Sequence, residues 1–434
     1  MSHRITNWAK RLFHPKPKKA ASQPANIVPR AQHCISRDNI SSNALKVLYR
    51  LKDAGFSAFL VGGGVRDLLL KRSPKDFDVA TDAHPEQVRD LFRNSRIIGR
   101  RFRLVHVFYG DENIEVSTFR ANVIEQTRPY AQKDTETGMI FRDNAYGTIE
   151  EDAWRRDFTI NALYYNISDF SVVDYMNGME DIKNRLLRMI GDPSQRFHED
   201  PVRMLRAIRL SAKLDLDIES AMESVLIALP NLLKHVPPPR LFDECLKLFF
   251  EGNAFVTYQK LVHYRYMDAL FPQTMHALRS SFHHHINEKL IMQALHATDQ
   301  RLQNNDSVNP GFLLAVFLWP VLRARIEKIK NKKNKFYLQL HQIIHDVMRT
   351  QLQSVMIPKR LQFIMQTIWM QQFYLEKRRK SRVLTVFSNR YFRAAFDFMA
   401  LRVTSGEITS EIYDWWKAFQ FSDEAAQAKM IDQL

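Results

Sequence analysis

Three consecutive glycines, Gly62–Gly64, are the feature that most restricts how this chain folds. The chain has only 13 glycines among 434 residues, under half of the usual share of about 7%. A glycine cluster in such a chain indicates backbone with positive φ, or close approach to a ligand. The apolar run Phe59–Val61 predicts a buried strand before the cluster, and Val65–Leu70 predicts a helix after it. A strand, a glycine turn and a helix N-terminus together favour anion binding, because free N–H groups and the helix dipole point at one place.

A pair of aspartates, Asp76 and Asp78, follows the predicted helix. In an extended strand residues i and i+2 face the same side, so both carboxylates would point together while Phe77 turns into the core. An isolated pair of this kind is usually a turn feature, but this one follows the glycine turn at short range. Converging carboxylates repel each other unless cations neutralise them, and their hard oxygen atoms suit Mg²⁺. The pattern predicts a site for triphosphate and two ions, which would lower the pKa of an attacking hydroxyl and hold a leaving pyrophosphate.

Two common nucleotide-binding motifs do not describe this turn. Gly62–Asp67 has glycines at the first and third positions of the dinucleotide fingerprint, but Asp67 takes the last position, where glycine allows close helix–strand packing. The sequence has no Gly-Lys-Ser/Thr Walker loop. The sequence therefore predicts a phosphate-handling turn of another type.

Two more strands are predicted around Arg103–Tyr109 and Ile114–Arg120, with a hairpin turn between them. Glu115 on the second strand would join the two aspartates if its strand lies beside theirs. The alternative for Glu115 is an ion pair with Arg120. The polar stretch Asn122–Thr148 predicts a mobile loop.

Helices dominate the rest of the chain. The stretch Asp152–Ala162 predicts a charged helix before the apolar strand Leu163–Ile167, and Glu180–Arg188 predicts another helix. Strand signals fade beyond about residue 190, and helical spacing of apolar residues continues from His198 to the end. This order predicts an α/β first part and a helical second part.

The charge of the chain indicates a polyanionic partner. The net charge is +16 and the isoelectric point is near 9.7, which favours nucleic acid over a membrane; a generally basic soluble protein is the alternative. Cys34 and Cys245 are far apart in sequence, which is typical of a reducing compartment. The longest apolar run, Gly311–Leu322, is too short to span a bilayer. We therefore expect a cytoplasmic protein with no membrane partner.

Basic clusters recur along the chain. Residues 1–30 carry seven Lys or Arg and no acid, which predicts a flexible basic arm. Further clusters at 323–335 and 377–382 lie near aromatic residues, a composition that suits single-stranded RNA; solvated helix faces are the alternative. His283–His285 with His296 and Asp299 suggests a metal site only weakly, and we expect these residues to be structural or solvated. We expect Trp415 and Trp416 to pack in a core.

Four ordered motifs carry a resemblance to a known family. They are GGGVRD with KDFDVATDAHPEQVRDLF (62–67 and 75–92), RRDFTINALYY (155–165), VVDYMNGMEDIKNRLLR (172–188) and EDPVRMLRAIRL (199–210). Together they resemble the nucleotidyltransferase superfamily, in the branch shared by bacterial poly(A) polymerases and bacterial-type CCA-adding enzymes. The segments IIGRRFRLVHV (97–107), RLFDECLKLF (240–249), ATDQRLQNNDSVNPGFLLAVFLWP (297–320) and NRYFRAAFDFMALR (389–402) resemble the poly(A) polymerases in particular.

The resemblance implies roles for individual residues. Asp76 and Asp78 would hold the metals, and Glu115 is the candidate third catalytic carboxylate. The implied nucleotide-binding residues are Gly62, Gly63, Arg66 and Asp67 at the triphosphate, Arg156, Asp157 and Asn161 at ribose and triphosphate, and Asp200, Arg203 and Arg206 at the base.

Plainer interpretations of these residues stay open. Arg66 and Asp67 would then pair with each other or cap the helix, and Arg156 and Asp157 would be helix-surface charges. Asp200 and Arg203, three apart, are expected on one helix face, where they would read the base edge by hydrogen bonds.

The resemblance implies an α+β fold: a mixed α/β nucleotidyltransferase head, similar to DNA polymerase beta, followed by an all-α neck and body. We expect a flexible basic arm over 1–37, the head over 38–190, a base-reading neck over 191–250 and an RNA-binding body over 251–434. The implied activity is template-independent addition of AMP from ATP to RNA 3′ ends with two Mg²⁺ ions. The expected partners are mRNA, regulatory RNA and decay fragments, together with RNA-decay proteins. The alternatives are a CCA-adding enzyme and a catalytically inactive RNA-binding protein of the same fold.

Overall fold

The structure is a computed structural model that describes residues 24–99, 103–121, 132–133, 140–142, 145–280, 283–328 and 336–434. The chain divides into two compact units, residues 1–132 with 141–184 and residues 133–140 with 185–434. Most of the predicted basic arm and of the predicted loop Asn122–Thr148 lies outside the described residues, as does the lysine-rich segment 329–335.

The first unit is built on an eight-stranded mixed sheet. The strands of the chain are β1 Asn26–Val28, β2 Ala58–Val61, β3 Asp78–Thr81, β4 Ser95–Ile98, β5 Leu104–Tyr109, β6 Glu112–Thr118, β7 Gln132–Lys133, β8 Ile140–Arg142, β9 Leu163–Asn166, β10 Val172–Asp174, β11 Leu186–Leu187 and β12 Asp217–Ile218. The large sheet has the order β1-β10-β9-β2-β3-β6-β5-β4. Its neighbours are antiparallel except β3 and β6, which are parallel. This parallel pair brings together two segments that are distant in sequence.

Short helices cover the sheet: α1 Ser42–Asp53, α2 Gly63–Leu69, α3 Pro85–Leu91, α4 Ile149–Arg155 and α5 Gly178–Lys183. Helix α1 begins at Ser42, because the Ser41 hydroxyl caps it by accepting a hydrogen bond from the Ala44 N–H. It buries Val47, Leu48 and Leu51 against the sheet core. The predicted strand before the glycines, the helix after them and the hairpin at Gly110 are all present.

Two helix predictions in this unit were too long. The helix expected over 152–162 ends at Arg155, and a 3₁₀ turn, Thr159–Asn161, follows it. The helix expected over 180–188 ends at Lys183, and β11 begins at Leu186. Arg185, just before β11, has a positive φ of 54°. Strand β11 then pairs in parallel with β12.

The second unit is helical. Its helices are α6 Pro193–Glu199, α7 Val202–Leu214, α8 Ser220–Ala228, α9 Pro238–Phe249, α10 Ala254–His263, α11 Met267–Leu270, α12 Pro272–Ser280, α13 His284–Gln303, α14 Pro310–Glu327, α15 Phe336–Gln351, α16 Lys359–Lys377, α17 Val383–Phe387, α18 Phe392–Ser405, α19 Glu411–Phe421 and α20 Glu424–Asp432. Apolar helix α14 is buried almost all round, as expected for a helix at the centre of a bundle. No helix in the described part of the chain has the length and hydropathy of a transmembrane span.

Candidate active site

Three neighbouring strands bring Asp78, Glu115 and His106 into one row across the sheet of the first unit. Asp78 on β3 pairs with Glu115 on β6 in the parallel ladder. Glu115 pairs with His106 on β5 in the antiparallel ladder, with 3.7 Å between His106 Nε2 and Glu115 Oε2. Residues that pair across a ladder project on the same face of a sheet. The strand of Glu115 therefore does lie beside that of the aspartates.

Asp76 lies just before β3 and is exposed, while Phe77 packs into the core with 9% of its surface accessible. The backbone of this segment contacts the glycine turn closely. A Cβ placed on Gly64 would lie 3.4 Å from the Asp76 carbonyl oxygen and 3.7 Å from the Phe77 ring. A Cβ at Gly64 would therefore be in ordinary van der Waals contact with this segment, which shows that the two motifs lie against each other.

The carboxylates of the row carry negative charge that their surroundings do not favour. Burial, with the nearby Glu115 and Asp76 carboxylates, raises the pKa of Asp78 to about 6 against the opposing effect of Arg156. Burial also raises the pKa of Glu115; Arg120 opposes the shift and Asp76 adds to it. A bound cation would reverse both shifts, since it favours the charged form of each group.

Gly62 lies beside this row. Its φ is +72°, a conformation that side-chain-bearing residues rarely adopt. A Cβ at Gly62 would lie 3.4 Å from Arg156 Nη1 and 4.0 Å from Asp78 Oδ2. Glycine therefore keeps the space between a guanidinium and a carboxylate clear. The helix that follows, α2, has only seven residues.

Arg66 and Asp67 pair with each other, as the plainer interpretation held. Arg66 Nε lies 2.8 Å and Nη2 2.7 Å from Asp67 Oδ1. The same guanidinium donates from Nη1 to Asn161 Oδ1 at 2.7 Å, and Asn161 Nδ2 donates to Asp157 Oδ1 at 3.0 Å. The result is a connected chain of four side chains from α2 and the 3₁₀ turn. Asn161 is buried within this chain, with 7% of its surface accessible.

Asp152 is the centre of a second buried network. Its carboxylate accepts hydrogen bonds from Arg155 at 2.9 Å, from Arg156 at 2.9 and 3.1 Å, and from the Tyr164 hydroxyl at 2.7 Å. Burial opposes its ionisation, but the two guanidiniums and the Tyr164 hydroxyl outweigh burial and hold the pKa of Asp152 well below its usual range. Arg156 is thus fixed between Asp152 and the glycine turn.

These contacts give the physical reason for the short helix α4. Arg156 caps the helix with extended backbone, at φ −63° and ψ 168°. The chain then turns so that Asp157 Oδ1 accepts the Phe158 N–H and the Asn161 amide. Tertiary hydrogen bonds therefore override the helical propensity of this charged segment. Arg156, Asp157 and Asn161 are not helix-surface residues.

Sequence reasoning missed three residues of this region: His106, Asp152 and Tyr164. The Asn113 amide contacts His106 Nδ1 at 2.7 Å, and burial lowers the pKa of His106 while the nearby Asp78 opposes the shift. The hairpin register of β5 and β6 could have placed His106 opposite Glu115. The i, i+4 spacing of Asp152 and Arg156 could have indicated their ion pair.

The predicted base-reading residues lie in the second unit and do not share one helix face. Asp200 occupies the break between α6 and α7, with φ −152° and ψ 95°, so the expectation of a single helix face was wrong. Its carboxylate accepts a hydrogen bond from Arg240 at 2.7 Å. Arg203 on α7 donates to Glu199 at 3.1 Å and to the Arg196 carbonyl at 2.8 Å.

Arg206 follows Arg203 on α7, and both are half-buried, as is Arg209. These three arginines therefore recur at every third position along α7. Arg209 is held by Glu251, with nitrogen–oxygen distances of 2.9 and 3.0 Å.

Two residues of the weak histidine motif, His296 and Asp299, have structural roles, while His284 and His285 are exposed. Asp299 caps α10 by accepting the N–H groups of Ala254 and Phe255 at 2.6 and 3.0 Å. His296 stacks on Phe255, with ring centroids 3.7 Å apart. Trp416 is fully buried in a core cluster, as expected. Within the described residues, no group of three or more His, Cys, Asp or Glu side chains is arranged to hold a metal ion by itself.

Comparison with known families matches three parts of the chain. The family described as "Poly A polymerase head domain" matches residues 58–188. The family described as "Probable RNA and SrmB- binding site of polymerase A" matches residues 215–278, and "Polymerase A arginine-rich C-terminus" matches residues 332–434. All three families describe polymerase A.

Curated relatives extend this match to the full chain. Poly(A) polymerase I of Salmonella typhi is 44% identical over 100% of this chain and 95% of its own length. Poly(A) polymerase I of Haemophilus influenzae is 42% identical over 94% of this chain and 91% of its own length. The CCA-adding enzyme of Lactobacillus helveticus is 43% identical, but over only 47% of this chain and 49% of its own length.

Solved structures confirm the fold. A Thermotoga maritima CCA-adding enzyme complexed with tRNA-CCA has a TM-score of 0.56 at 18% identity, covering 93% of this chain and 89% of its own. A CCA-adding enzyme complexed with ATP has a TM-score of 0.53 at 19% identity, covering 88% of this chain and 83% of its own. The expected nucleotidyltransferase head with a helical body is therefore correct. The chain belongs to the poly(A) polymerase I family and is a polynucleotide adenylyltransferase.

Proposed function

We propose that the chain transfers AMP from ATP to the 3′ hydroxyl of RNA and releases pyrophosphate, with Asp76, Asp78 and Glu115 at the reacting groups. The observation that carries the assignment is the row of Asp78 and Glu115 beside Gly62. Asp78 and Glu115 both have raised pKa values, and Asp78 adjoins the backbone of Gly62, which carries no side chain. Charge that the fold leaves uncompensated in a cleared space is typical of an active site.

Magnesium fits these residues. The raised pKa values of Asp78 and Glu115 indicate that their charged forms need a cation. Mg²⁺ usually binds one or two carboxylates and completes its shell with substrate phosphates and water, so a preformed cluster of three protein ligands is not needed. Asp76 and Asp78 would hold two ions, which when bound lower the pKa of the attacking hydroxyl and neutralise the leaving pyrophosphate.

The remaining head residues position the nucleotide. Gly62 and Gly63 leave room for the triphosphate beside the acidic row. Arg156 directs Nη1 towards Gly62 while Asp152 holds its other nitrogens, so it offers a fixed positive charge to a phosphate. Arg66, oriented by Asp67, holds the Asn161 amide.

We assign Asn161 and Asp157 to contacts with the ribose and triphosphate. With the groups held in place, the reaction is an in-line displacement at the α-phosphorus that needs no covalent intermediate with the protein.

We assign recognition of the adenine base to Asp200, Arg203 and Arg206. The resemblance of EDPVRMLRAIRL to the family motif supports this assignment. The break before α7 places Asp200 outside the helices, and Arg240 and Glu199 orient Asp200 and Arg203 respectively. Oriented donors and acceptors can match one Watson–Crick edge, which explains selection of ATP without a template.

The wider biological assignments are part of the same proposal. We divide the chain into an arm over 1–37, a head over 38–190 that performs catalysis, a neck over 191–250 that recognises the base, and a body over 251–434 that binds RNA. The net charge of +16 and the family description naming an RNA and SrmB binding site support RNA 3′ ends and RNA-decay proteins as partners. We place this activity in the cytoplasm, where it tags mRNA, regulatory RNA and decay fragments.

Extension assays test the function directly. The purified chain would be mixed with Mg²⁺, each NTP alone, and either an unstructured RNA or a tRNA lacking its 3′ CCA. We expect a long ladder with ATP alone on both RNAs. Addition of two C residues and one A, on the tRNA only, would instead identify a CCA-adding enzyme. Extension by the Asp76→Ala variant at the parent rate would overturn the assignment of the metal site.

A further inference from the structure

A small cavity in the second unit combines aromatic and basic side chains. It has a volume of about 190 Å³ and lies between the start of α15, the end of α16, α17 and α19. Sites for drug-sized ligands start at roughly 300 Å³, so this cavity suits a single base or phosphate group. It lies within the part of the chain matched by the arginine-rich family.

Two stacked tyrosines form one wall of this cavity. Tyr337 and Tyr374 have ring centroids 5.7 Å apart and an interplanar angle of 23°. Both rings are half-buried, so each keeps an accessible part. The buried Trp416 lines the base of the cavity, held by a hydrogen bond of 3.0 Å from its Nε1 to the Leu375 carbonyl. Ordered aromatic faces of this kind stack on nucleic-acid bases whatever the base sequence.

Basic side chains also line the cavity, and two of them lie over the tyrosine rings. Lys377 Nζ is 4.6 Å from the centre of the Tyr337 ring, and the Arg382 guanidinium is 5.4 Å from that of Tyr374. Arg378 has a positive φ of 40°, so the chain turns at the end of α16 and brings Arg379 to the same cavity.

These positive charges are poorly neutralised. Arg378 pairs with Glu411 at 3.3 Å and Lys380 with Asp432 at 2.7 Å, but both acids are more than 70% exposed, and such surface pairs contribute little. Within the parts of the chain that the structure describes, Lys377, Arg379 and Arg382 have no ion pair with a carboxylate. The cavity therefore offers positive charge to an anionic ligand.

A nucleotide matches both halves of the cavity, because it has a planar base for the tyrosines and a phosphate for the arginines. An acidic peptide would match only the charges. We infer that this tyrosine–arginine pocket holds one nucleotide of the single-stranded RNA substrate, with its base on Tyr374 and its phosphate on Arg379 and Arg382. The inference rests on the proposed use of RNA as substrate. Because the reacting 3′ end belongs in the head, the nucleotide in the pocket is an internal one.

Two variants of the full chain test the two halves of the pocket separately. Tyr374→Leu removes the aromatic face, and Tyr374→Phe retains it as the conservative control. The double variant R379Q/R382Q removes two exposed charges, and R301Q/R349Q removes two exposed charges elsewhere in the helical unit. Binding of a labelled unstructured RNA would be measured by fluorescence anisotropy without Mg²⁺ over a range of salt concentrations, with melting curves as the folding check.

We expect Tyr374→Leu to raise the Kd for RNA about 10-fold, since stacking on one aromatic ring accounts for an effect of this size. Tyr374→Phe should leave the Kd within about 2-fold of the parent value. R379Q/R382Q should reduce the slope of log Kd against log salt by about 0.7, because these cations share one phosphate, whereas R301Q/R349Q should not. Equal losses in the two double variants, or unchanged binding in R379Q/R382Q, would overturn the pocket. If Tyr374→Leu fails to fold, the arginine variants decide the question alone.

The same proteins separate this inference from the proposed function. At saturating RNA the rate of AMP addition should be unchanged in the pocket variants, while the KM for long RNA rises and that for very short RNA does not. A parent protein that binds RNA through the pocket but adds no AMP would contradict the proposed function alone. A parent that adds AMP with no dependence on the pocket residues would contradict the pocket alone.

Discussion

Two acidic regions of the first unit have opposite electrostatic surroundings. Asp152 receives two guanidiniums and a tyrosine hydroxyl, and its pKa lies well below the usual range. Asp78 lies opposite another carboxylate, Glu115, and its pKa rises to about 6. Both regions adjoin Arg156, which bonds to Asp152 rather than to the acidic row.

This difference in surroundings distinguishes a carboxylate that stabilises the fold, Asp152, from one that we propose acts in the reaction, Asp78. The fold satisfies the charge of Asp152 with its own side chains, so this residue holds α4, β9 and Arg156 together. The fold leaves the charge of Asp78 unsatisfied, at a cost in stability, and this suits the proposed role of the carboxylate in holding a metal ion. Uncompensated charge of this kind is common where a protein performs chemistry.

The largest expected effect is on catalysis by the acidic row. Asp78→Asn keeps the shape of the side chain and removes its charge. We expect AMP addition to fall on the order of 10³-fold, about 4 kcal/mol in the activation barrier, because electrostatic stabilisation at the metal site is lost. Primer extension under single-turnover conditions measures this loss. The exposed Asp90→Asn on α3 is the matched control, and an equally slow control would contradict a specific role for Asp78.

The next effect is on stability at Asp152. Asp152→Asn leaves the guanidiniums of Arg155 and Arg156 partly unpaired in a buried site. Breaking a buried ion pair from one side costs about 3–5 kcal/mol, and urea unfolding would measure the decrease in the free energy of unfolding. A loss below about 1 kcal/mol would show that Asp152 does not support the fold as described.

Asp78→Asn should have the opposite effect on stability in the absence of metal. The folded-state pKa of Asp78, about 6, lies above the ordinary 3.8. The folded protein therefore binds this proton more tightly than the unfolded chain, and stability falls as pH rises from about 4 to 6. At pH 7 the variant should be more stable than the parent by up to about 3 kcal/mol, because a shift of one pKa unit corresponds to about 1.4 kcal/mol and the shift from 3.8 to about 6 is roughly two units.

Urea unfolding in EDTA across this pH range tests that expectation. The parent should lose stability between pH 4 and 6, and Asp78→Asn should show a flatter profile. The stabilisation by Asp152 is present above pH 4 and is lost only at lower pH, so it does not contribute to this window. A variant that is less stable than the parent at pH 7 would show that the charge of Asp78 is satisfied in the folded protein.

The smallest effect is expected from Tyr164→Phe. This change removes one hydroxyl, which donates to Asp152 at 2.7 Å and accepts from Arg156 Nε at 2.9 Å. We expect a loss of about 1–2 kcal/mol in the free energy of unfolding, with a smaller decrease in AMP addition because Arg156 keeps its bonds to Asp152. A loss as large as that of Asp152→Asn would mean that the hydroxyl, rather than the ion pairs, maintains this network.

Local sequence was sufficient to predict the elements around the site. Glycine was expected where the backbone takes positive φ at Gly62 and where Gly64 touches the Asp76 carbonyl. The apolar run before the turn and the hairpin at Gly110 were also predicted, since strand alternation and turn chemistry depend on a few neighbouring residues. Even the pairing of Arg66 with Asp67 followed from their adjacency.

Positions that depend on distant residues were predicted less well. The helix expected over 152–162 breaks at Arg156, and beyond the break Asn161 accepts a hydrogen bond from Arg66, which is 95 residues away in sequence. Asp200 lies between two helices, where Arg240 holds it from a position 40 residues away. Helical propensity is too small a term to prevent either break.

By itself the sequence determined the glycine turn, the pair Asp76 and Asp78 and the basic, aromatic segment near residue 377, because each depends on side chains and backbone angles within a short stretch. Only the tertiary structure decided that Glu115 pairs with Asp78, since the parallel register of β3 and β6 is set by the order of the whole sheet. It also decided that Tyr337 stacks on Tyr374 from another helix. Packing between distant segments has no local signature in the chain, so these contacts had to be observed.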